Sequence, residues 1–331
     1  VERGATPKVF VTRRVDQEAL DLLERHAQVT VWEDQHPPPR EVLLSRASNS
    51  HGLLTMLTDP VDEELLSRAP DLVVVSNMAT GLDNVDVAAC TRHGVLVGST
   101  PGVLAKTCAE LAFALLLAVA RRVVEGDRFV RDGSWEVWHP SLMLGRDLHG
   151  ATLGIVGLGA IGLEVARRAR AFEMEVVYYQ RRRRLDAEVE HGLRYAPDLP
   201  TLLRGSDFVT IHAPLTPETR HMIGAAELRM MRPYAMLVNT SRGQLVDQEA
   251  LAEALRGGAI AGAALDVMEQ EPVPLDDPLL GLPNLLMTPH TASASVATRR
   301  RMAVMAAQNI LAALRGDPMP ACANPGVLES R

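Results

Sequence analysis

Apolar residues in this chain fall into short runs rich in β-branched side chains. The first are Val9-Phe10-Val11, Val29-Thr30-Val31, Leu53-Leu54-Thr55-Met56 and Leu72-Val73-Val74-Val75. Runs without polar alternation suit strands covered on both faces. Stretches with helical spacing, such as residues 18–26 and 61–68, lie between them, and this alternation predicts βαβ units on a parallel sheet. A second series begins after Gly150, with strands expected at 152–156, 175–179, 208–212, 235–239, 260–265 and 285–288. Six strands with intervening helices suffice for a complete dinucleotide-binding sheet. Long apolar helices, at about 103–122 and 295–314, flank this series.

The expected fold is therefore α/β, with two Rossmann-like or flavodoxin-like lobes built on parallel sheets. The chain leaves the first lobe, builds the second and returns, so that residues 303–314 pack back toward the first. A discontinuous substrate-binding domain is expected from residues 1–100 plus 291–331, and a dinucleotide-binding domain from 101–290. The hinges fall near Ser99-Thr100-Pro101-Gly102 and Pro289-His290, and an interdomain cleft is the natural ligand site.

Composition removes several alternatives. Among 331 residues, a net charge of −7 argues against a general nucleic-acid binder. Of the 34 basic residues only Lys8 and Lys106 are lysines, and neither ends a Gly-Lys-Ser/Thr phosphate loop. The three cysteines, Cys90, Cys108 and Cys322, are too scattered for a disulfide framework or a zinc site, which fits a reducing cytoplasm. The ten histidines show no metal-ligand spacing. The opening Val1-Glu2-Arg3-Gly4 has no apolar signal core. The longest apolar run, residues 111–120, falls short of the roughly 20 residues that span a bilayer and reads as a buried core helix.

The most specific motif is Gly157-Leu158-Gly159-Ala160-Ile161-Gly162, set between a predicted strand and a predicted helix. Gly157 allows the tight turn, Gly159 lets backbone approach a pyrophosphate, and Gly162 allows close helix–sheet packing. At the end of the next strand an NAD site usually carries Asp or Glu for the ribose 2′-hydroxyl. This chain has Gln180 there, followed by Arg181, Arg182, Arg183 and Arg184. Guanidinium forks match a 2′-phosphate, so NADP(H) is expected, with Arg181 and Arg183 the first choices as ligands.

Ligands in open α/β sheets sit beyond the carboxyl ends of the strands. Those ends carry His212-Ala213-Pro214, Asn239-Thr240-Ser241-Arg242-Gly243, Asp266 and Pro289-His290, with Glu269 and Glu271 close behind Asp266. These ends face a bound dinucleotide as well as a substrate, so His212, Pro214, Thr240, Ser241 and Asp266 are also candidates to line the cofactor. Arginine, carboxylates and histidine together suit hydride transfer to a 2-oxo acid. The arginine binds the carboxylate, and the histidine moves the proton under the orientation of a carboxylate. From residue types alone, His290 and His212 are equal candidates, as are Glu271, Glu269 and Asp266.

At these residues the chain resembles the D-2-hydroxyacid dehydrogenases, and within them the glyoxylate/hydroxypyruvate reductases. The likeness rests on residues 77–86, Gly157 to Gly162, 239–243, Ala264-Leu265-Asp266-Val267 with Glu271-Pro272, and Thr288-Pro289-His290. It implies that His290 is the general acid, Glu271 its partner, Arg242 the carboxylate and carbonyl ligand, and Asp266 an orienter of the nicotinamide carboxamide. It also implies that Met78, Ala79, Thr80 and Gly81 offer backbone amides to the substrate carboxylate. Trp138 is implied to lie near the active site of a neighbouring subunit in a homodimer, with residues 103–122 and 135–144 at the interface. Two stretches depart from the pattern: Lys106-Thr107-Cys108, and Thr291-Ala292 where Ile-Gly is usual. The resulting expectation is an NADPH-dependent reductase of glyoxylate and hydroxypyruvate. The competing readings are a reductase of a longer 2-oxo acid such as 2-ketogluconate, and a dinucleotide-sensing corepressor or scaffold.

Overall fold

The computed structural model describes residues 6–329, and the Val1–Gly4 start lies outside them. The chain divides into two compact units. One comprises the described residues up to Leu104 and from Ala294 onward, the other Ala105–Ser293. Both crossing points fall a few residues later than the hinges read from the sequence. Thr100 donates its amide to the Ala79 carbonyl, which ties it to the first unit. Thr291 and Ala292 donate theirs to the Asp266 carboxylate, which ties them to the second.

The first unit opens with β1 (Lys8–Val11), α1 (Gln17–Glu24), β2 (Gln28–Val31), α2 (Arg40–Ala47), β3 (Gly52–Thr55), α3 (Glu63–Arg68), β4 (Val74–Asn77), α4 (Val87–Arg92) and β5 (Leu96–Gly98). Its sheet is parallel, in the order β2-β1-β3-β4-β5, the flavodoxin-like arrangement. Asp16, Asp62 and Asp86 begin α1, α3 and α4 by accepting first-turn amides. Each such cap is worth about 1 kcal/mol. Phe10, Leu53, Val75 and Val97 bury one sheet face against Leu43, Leu44, Leu65 and Leu66.

The second unit begins with α5 (Ala105–Ala120) and α6 (Val123–Arg131). The apolar run in α5 is the buried helix expected, with Ala109, Ala112, Phe113 and Leu116 in the core beneath the second sheet. There follow β6 (Thr152–Val156), α7 (Ala160–Ala171), β7 (Glu175–Tyr179), α8 (Leu185–His191), β8 (Arg194–Tyr195), α9 (Leu199–Gly205) and β9 (Phe208–Ile211). Then come α10 (Ala225–Met230), β10 (Met236–Asn239), α11 (Gln248–Arg256), β11 (Gly262–Leu265) and β12 (Leu285–Met287). The sheet order is β12-β11-β10-β9-β6-β7-β8, with every pair parallel. This is the doubly wound dinucleotide-binding order with one strand added beyond β11. Seven strands stand where six were expected, because the two-residue β8 is too short to register as an apolar run. In the first unit, α12 (Val296–Arg315) returns to pack on α1 and across β3, β4 and β5. No helix of the described residues is long and apolar enough to cross a membrane.

Candidate active site

The Gly157–Gly162 turn joins β6 to α7. Gly157 has φ +93°, where a side chain would be strained, and a Cβ there would meet the His212 carbonyl at 2.7 Å. A Cβ on Gly162 would sit 2.2 Å from the Gly157 oxygen, so helix and turn touch backbone to backbone. A Cβ on Gly159 would meet no protein atom within 4 Å. Protein packing therefore does not demand glycine at the start of α7. The Leu163 amide makes the first helical bond back to Gly159, leaving the amides of Ala160, Ile161 and Gly162 in the first turn, where an anion is stabilised.

The basic loop after β7 is fastened at several points. Gln180 accepts the Leu158 amide at 3.0 Å and donates to the Arg182 carbonyl. Arg183 forks onto Glu188, with Nε 2.8 Å from Oε1 and Nη2 2.7 Å from Oε2. Arg184 pairs with Asp186. The exposed side chains of Arg181 and Arg182 make no hydrogen bond or ion pair among the described residues. Arg183, one of the two arginines favoured from the sequence, is thus engaged by an acid that the motif reading did not consider.

At the strand ends the geometry separates the two histidines. The Nε2 of His212 meets Thr210 Oγ1 at 2.9 Å, while its buried Nδ1 has no partner. Burial pushes this imidazole down to about 4, so it is neutral near pH 7. His290 follows β12 and sits at φ +52°, a left-handed conformation that costs a non-glycine residue about 1 kcal/mol or more. The turn is held by its amide, which donates to the Asp266 carbonyl, and by the Asp266 carboxylate. That carboxylate accepts Thr288 Oγ1 at 2.6 Å and the Thr291 and Ala292 amides at 2.8 Å each. Asp266 is fully buried in these bonds. Its place here is beneath the histidine turn, and the unusual Thr291-Ala292 pair belongs to the same clasp.

The three carboxylates also separate. Glu271 Oε2 lies 2.7 Å from His290 Nδ1, and Oε1 accepts the Met268 amide at 2.9 Å. Burial pushes its carboxyl up, but the bond and charge of His290, the Met268 amide and the charge of Arg242 outweigh this and hold it below the usual carboxylate range. An ionised Glu271 makes Nδ1 the proton-bearing nitrogen and leaves Nε2 for chemistry. Glu269 instead pairs with His221 and caps Gln248. Arg242 follows β10 in a loop built by Asn239, whose side chain accepts the Ser241 amide and donates to the Arg242 carbonyl, while Ser241 Oγ donates to Ile211. Pro214 lies in the exposed loop after β9.

In the first unit, the Met78–Gly81 loop uses two of its four amides internally: Met78 donates to Thr55 and Ala79 to Asn77. The Thr80 and Gly81 amides make no hydrogen bond among the described residues. In the second unit, Trp138 is 73% exposed, and Val137 and Leu144 are exposed as well.

Residues 113–292 match the model of the D-isomer specific 2-hydroxyacid dehydrogenase NAD-binding domain. The chain belongs to the D-isomer specific 2-hydroxyacid dehydrogenase family. It is 52% identical over 326 residues to a glyoxylate reductase of Korarchaeum cryptofilum, with 98% of each chain covered. Among solved structures it is similar to a protein of Thermus thermophilus (46% identity, TM-score 0.90, 96% of this chain and 99% of that one). It is also similar to an NADPH-dependent glyoxylate/hydroxypyruvate reductase of Sinorhizobium meliloti, solved with NADP and malonate (31% identity, TM-score 0.84, 96% and 97% covered).

The chain is accordingly an NAD(P)-dependent D-2-hydroxyacid dehydrogenase, and its residues fit a nicotinamide dinucleotide. Besides Gly159, two buried polar atoms without partners, His212 Nδ1 and Thr240 Oγ1, stand at the carboxyl ends of β9 and β10, where this sheet order receives its ligand. The α7 amides, the loop after β7 and these two side chains are the groups that would hold it. Two features of this dehydrogenase escaped the sequence reading. One is Glu188, whose only signal was an acid placed one helical turn beyond a basic run. The other is the contact at Gly243, where a Cβ would fall 1.9 Å from the Met268 carbonyl carbon.

Proposed function

We propose that this dehydrogenase reduces glyoxylate and hydroxypyruvate, with NADPH in preference to NADH. The observation that carries the chemistry is the 2.7 Å contact between His290 Nδ1 and an ionised Glu271 whose carboxyl also feels the Arg242 charge. When bound, NADPH supplies the hydride to the carbonyl carbon. The Arg242 fork binds the substrate carboxylate and polarises the carbonyl oxygen. His290 gives the Nε2 proton to that oxygen, yielding the 2-hydroxy acid, and takes a proton back in the reverse direction. Glu271 orients the ring and stabilises its charged form. The names of the Korarchaeum and Sinorhizobium relatives support the substrate.

Three features support NADPH: Gln180 at the position usually acidic in NAD sites, the side chains of Arg181 and Arg182 with no hydrogen bond or ion pair among the described residues, and the NADP-bound relative. The enzyme is further read as a cytoplasmic homodimer, with Trp138 meeting the neighbouring subunit. The test is the loss of nicotinamide absorbance with glyoxylate, hydroxypyruvate and 2-ketogluconate, each with NADPH and NADH. Highest kcat/KM on glyoxylate or hydroxypyruvate with NADPH is expected. A preference for 2-ketogluconate or for NADH would overturn the corresponding part, and no turnover of any 2-oxo acid would favour a sensor.

A further inference from the structure

The loop after β7 is shaped by a clasp. Tyr178, fully buried in β7, donates its hydroxyl to Glu188 Oε1 at 2.7 Å and accepts the Arg184 amide at 2.7 Å. Glu188, on α8, receives the Arg183 fork on both oxygens. The Arg183 guanidinium lies 5.4 Å over the Tyr195 ring, and Tyr195 packs on Tyr178 at 5.4 Å between centroids. Gln180 is held from the other side by the Leu158 amide of the glycine turn. Residues 180, 183 and 184 are therefore fixed, and the two side chains between them, Arg181 and Arg182, remain to reach a ligand.

We propose that Glu188 is a specificity-positioning residue: by holding Arg183 and the Tyr178 hydroxyl together, it folds the loop so that Arg181 and Arg182 present the guanidinium groups that take the adenosine 2′-phosphate. Arg183 is then part of the support and does not touch the phosphate. The electrostatics agree. The Arg183 fork and the Tyr178 hydroxyl hold the Glu188 carboxyl below the usual range, and burial first, then the bond to Glu188, pushes the Tyr178 hydroxyl up to about 12. All three groups keep the protonation states that the clasp needs across ordinary pH. The inference rests on the NADPH reading above.

The experiment is calorimetric titration of NADP⁺ and NAD⁺ into the wild-type enzyme, Glu188→Gln, Arg183→Ala and the double variant, with thermal unfolding to check folding. Members of one coupled unit give non-additive effects. Each single variant is expected to weaken NADP⁺ binding by roughly 3- to 30-fold, within the range such couplings span, with NAD⁺ changed less than about threefold. The double variant should be no worse than either single one. Should Glu188→Gln leave NADP⁺ binding unchanged or tighter while Arg183→Ala weakens it, Arg183 would be the phosphate ligand and the proposal overturned. Equal loss of both cofactors would reduce Glu188 to a general support of the loop and overturn it too. A variant that fails to fold is replaced by Tyr178→Phe, which removes only the hydroxyl and carries the same expectation. Failure of the underlying NADPH reading is seen separately, as tighter binding of NAD⁺ than NADP⁺ by the wild type.

Discussion

His212 and His290 both stand at the end of a strand, and their chemistry is set by what surrounds each ring. The His212 Nδ1 is buried without a partner, and no carboxylate offsets that burial. The His290 ring is only partly buried and lies against Glu271. This difference has a consequence for stability. The folded value of His212, about 4, lies below its ordinary 6.5. The unfolded chain therefore binds the proton first as pH falls. The contribution of the neutral ring is complete above pH 6.5 and is lost as pH falls toward 4, amounting to up to about 3 kcal/mol. Urea unfolding between pH 7 and 4.5 should show a steeper loss of stability in the wild type than in His212→Gln. Parallel curves would show that His212 is not held neutral by the fold.

At the scale of elements, the regular pieces of the second unit were readable because each buried strand is a compact apolar run ending in a polar strand-end residue. The strands that escaped are β5, Leu96-Val97-Gly98, which closes on a glycine, and β8, whose two residues Arg194 and Tyr195 make no apolar run. The glycine turn was legible because its three glycines serve one local purpose. Other features depend on contacts between elements distant in sequence. Gly243 reads as an ordinary turn glycine, yet it is the point where the loop after β10 meets the backbone after β11, near Met268, three residues before Glu271. Asp266 and Glu271 look alike as strand-end acids. Only the folded loop shows that one clasps the turn of His290 and the other its ring. Similarly, four consecutive arginines carry no mark to distinguish the one that Glu188 holds.

At the scale of the molecule, the doubly wound second sheet and the discontinuous first unit follow from one alternating pattern, and near-full-length likeness to glyoxylate reductases accords with it. The surface of the second unit carries a further expectation. Val123 and Val130 of α6, with Trp135, Val137, Trp138 and Leu144 beyond it, are large apolar side chains left exposed on the single chain, and the proposed homodimer would cover them. Sedimentation equilibrium should give twice the 35.9 kDa chain mass, and a species of single-chain mass at micromolar concentration would contradict the proposed homodimer.

The central claim is that His290, oriented by Glu271, is the proton donor. The most direct test is kcat for the best 2-oxo acid in His290→Ala, with NADP⁺ affinity measured on the same preparation. The account predicts a fall of about 10²–10⁴-fold in kcat with cofactor binding kept within about threefold. Turnover within tenfold of the wild type, at unchanged cofactor affinity, would contradict it.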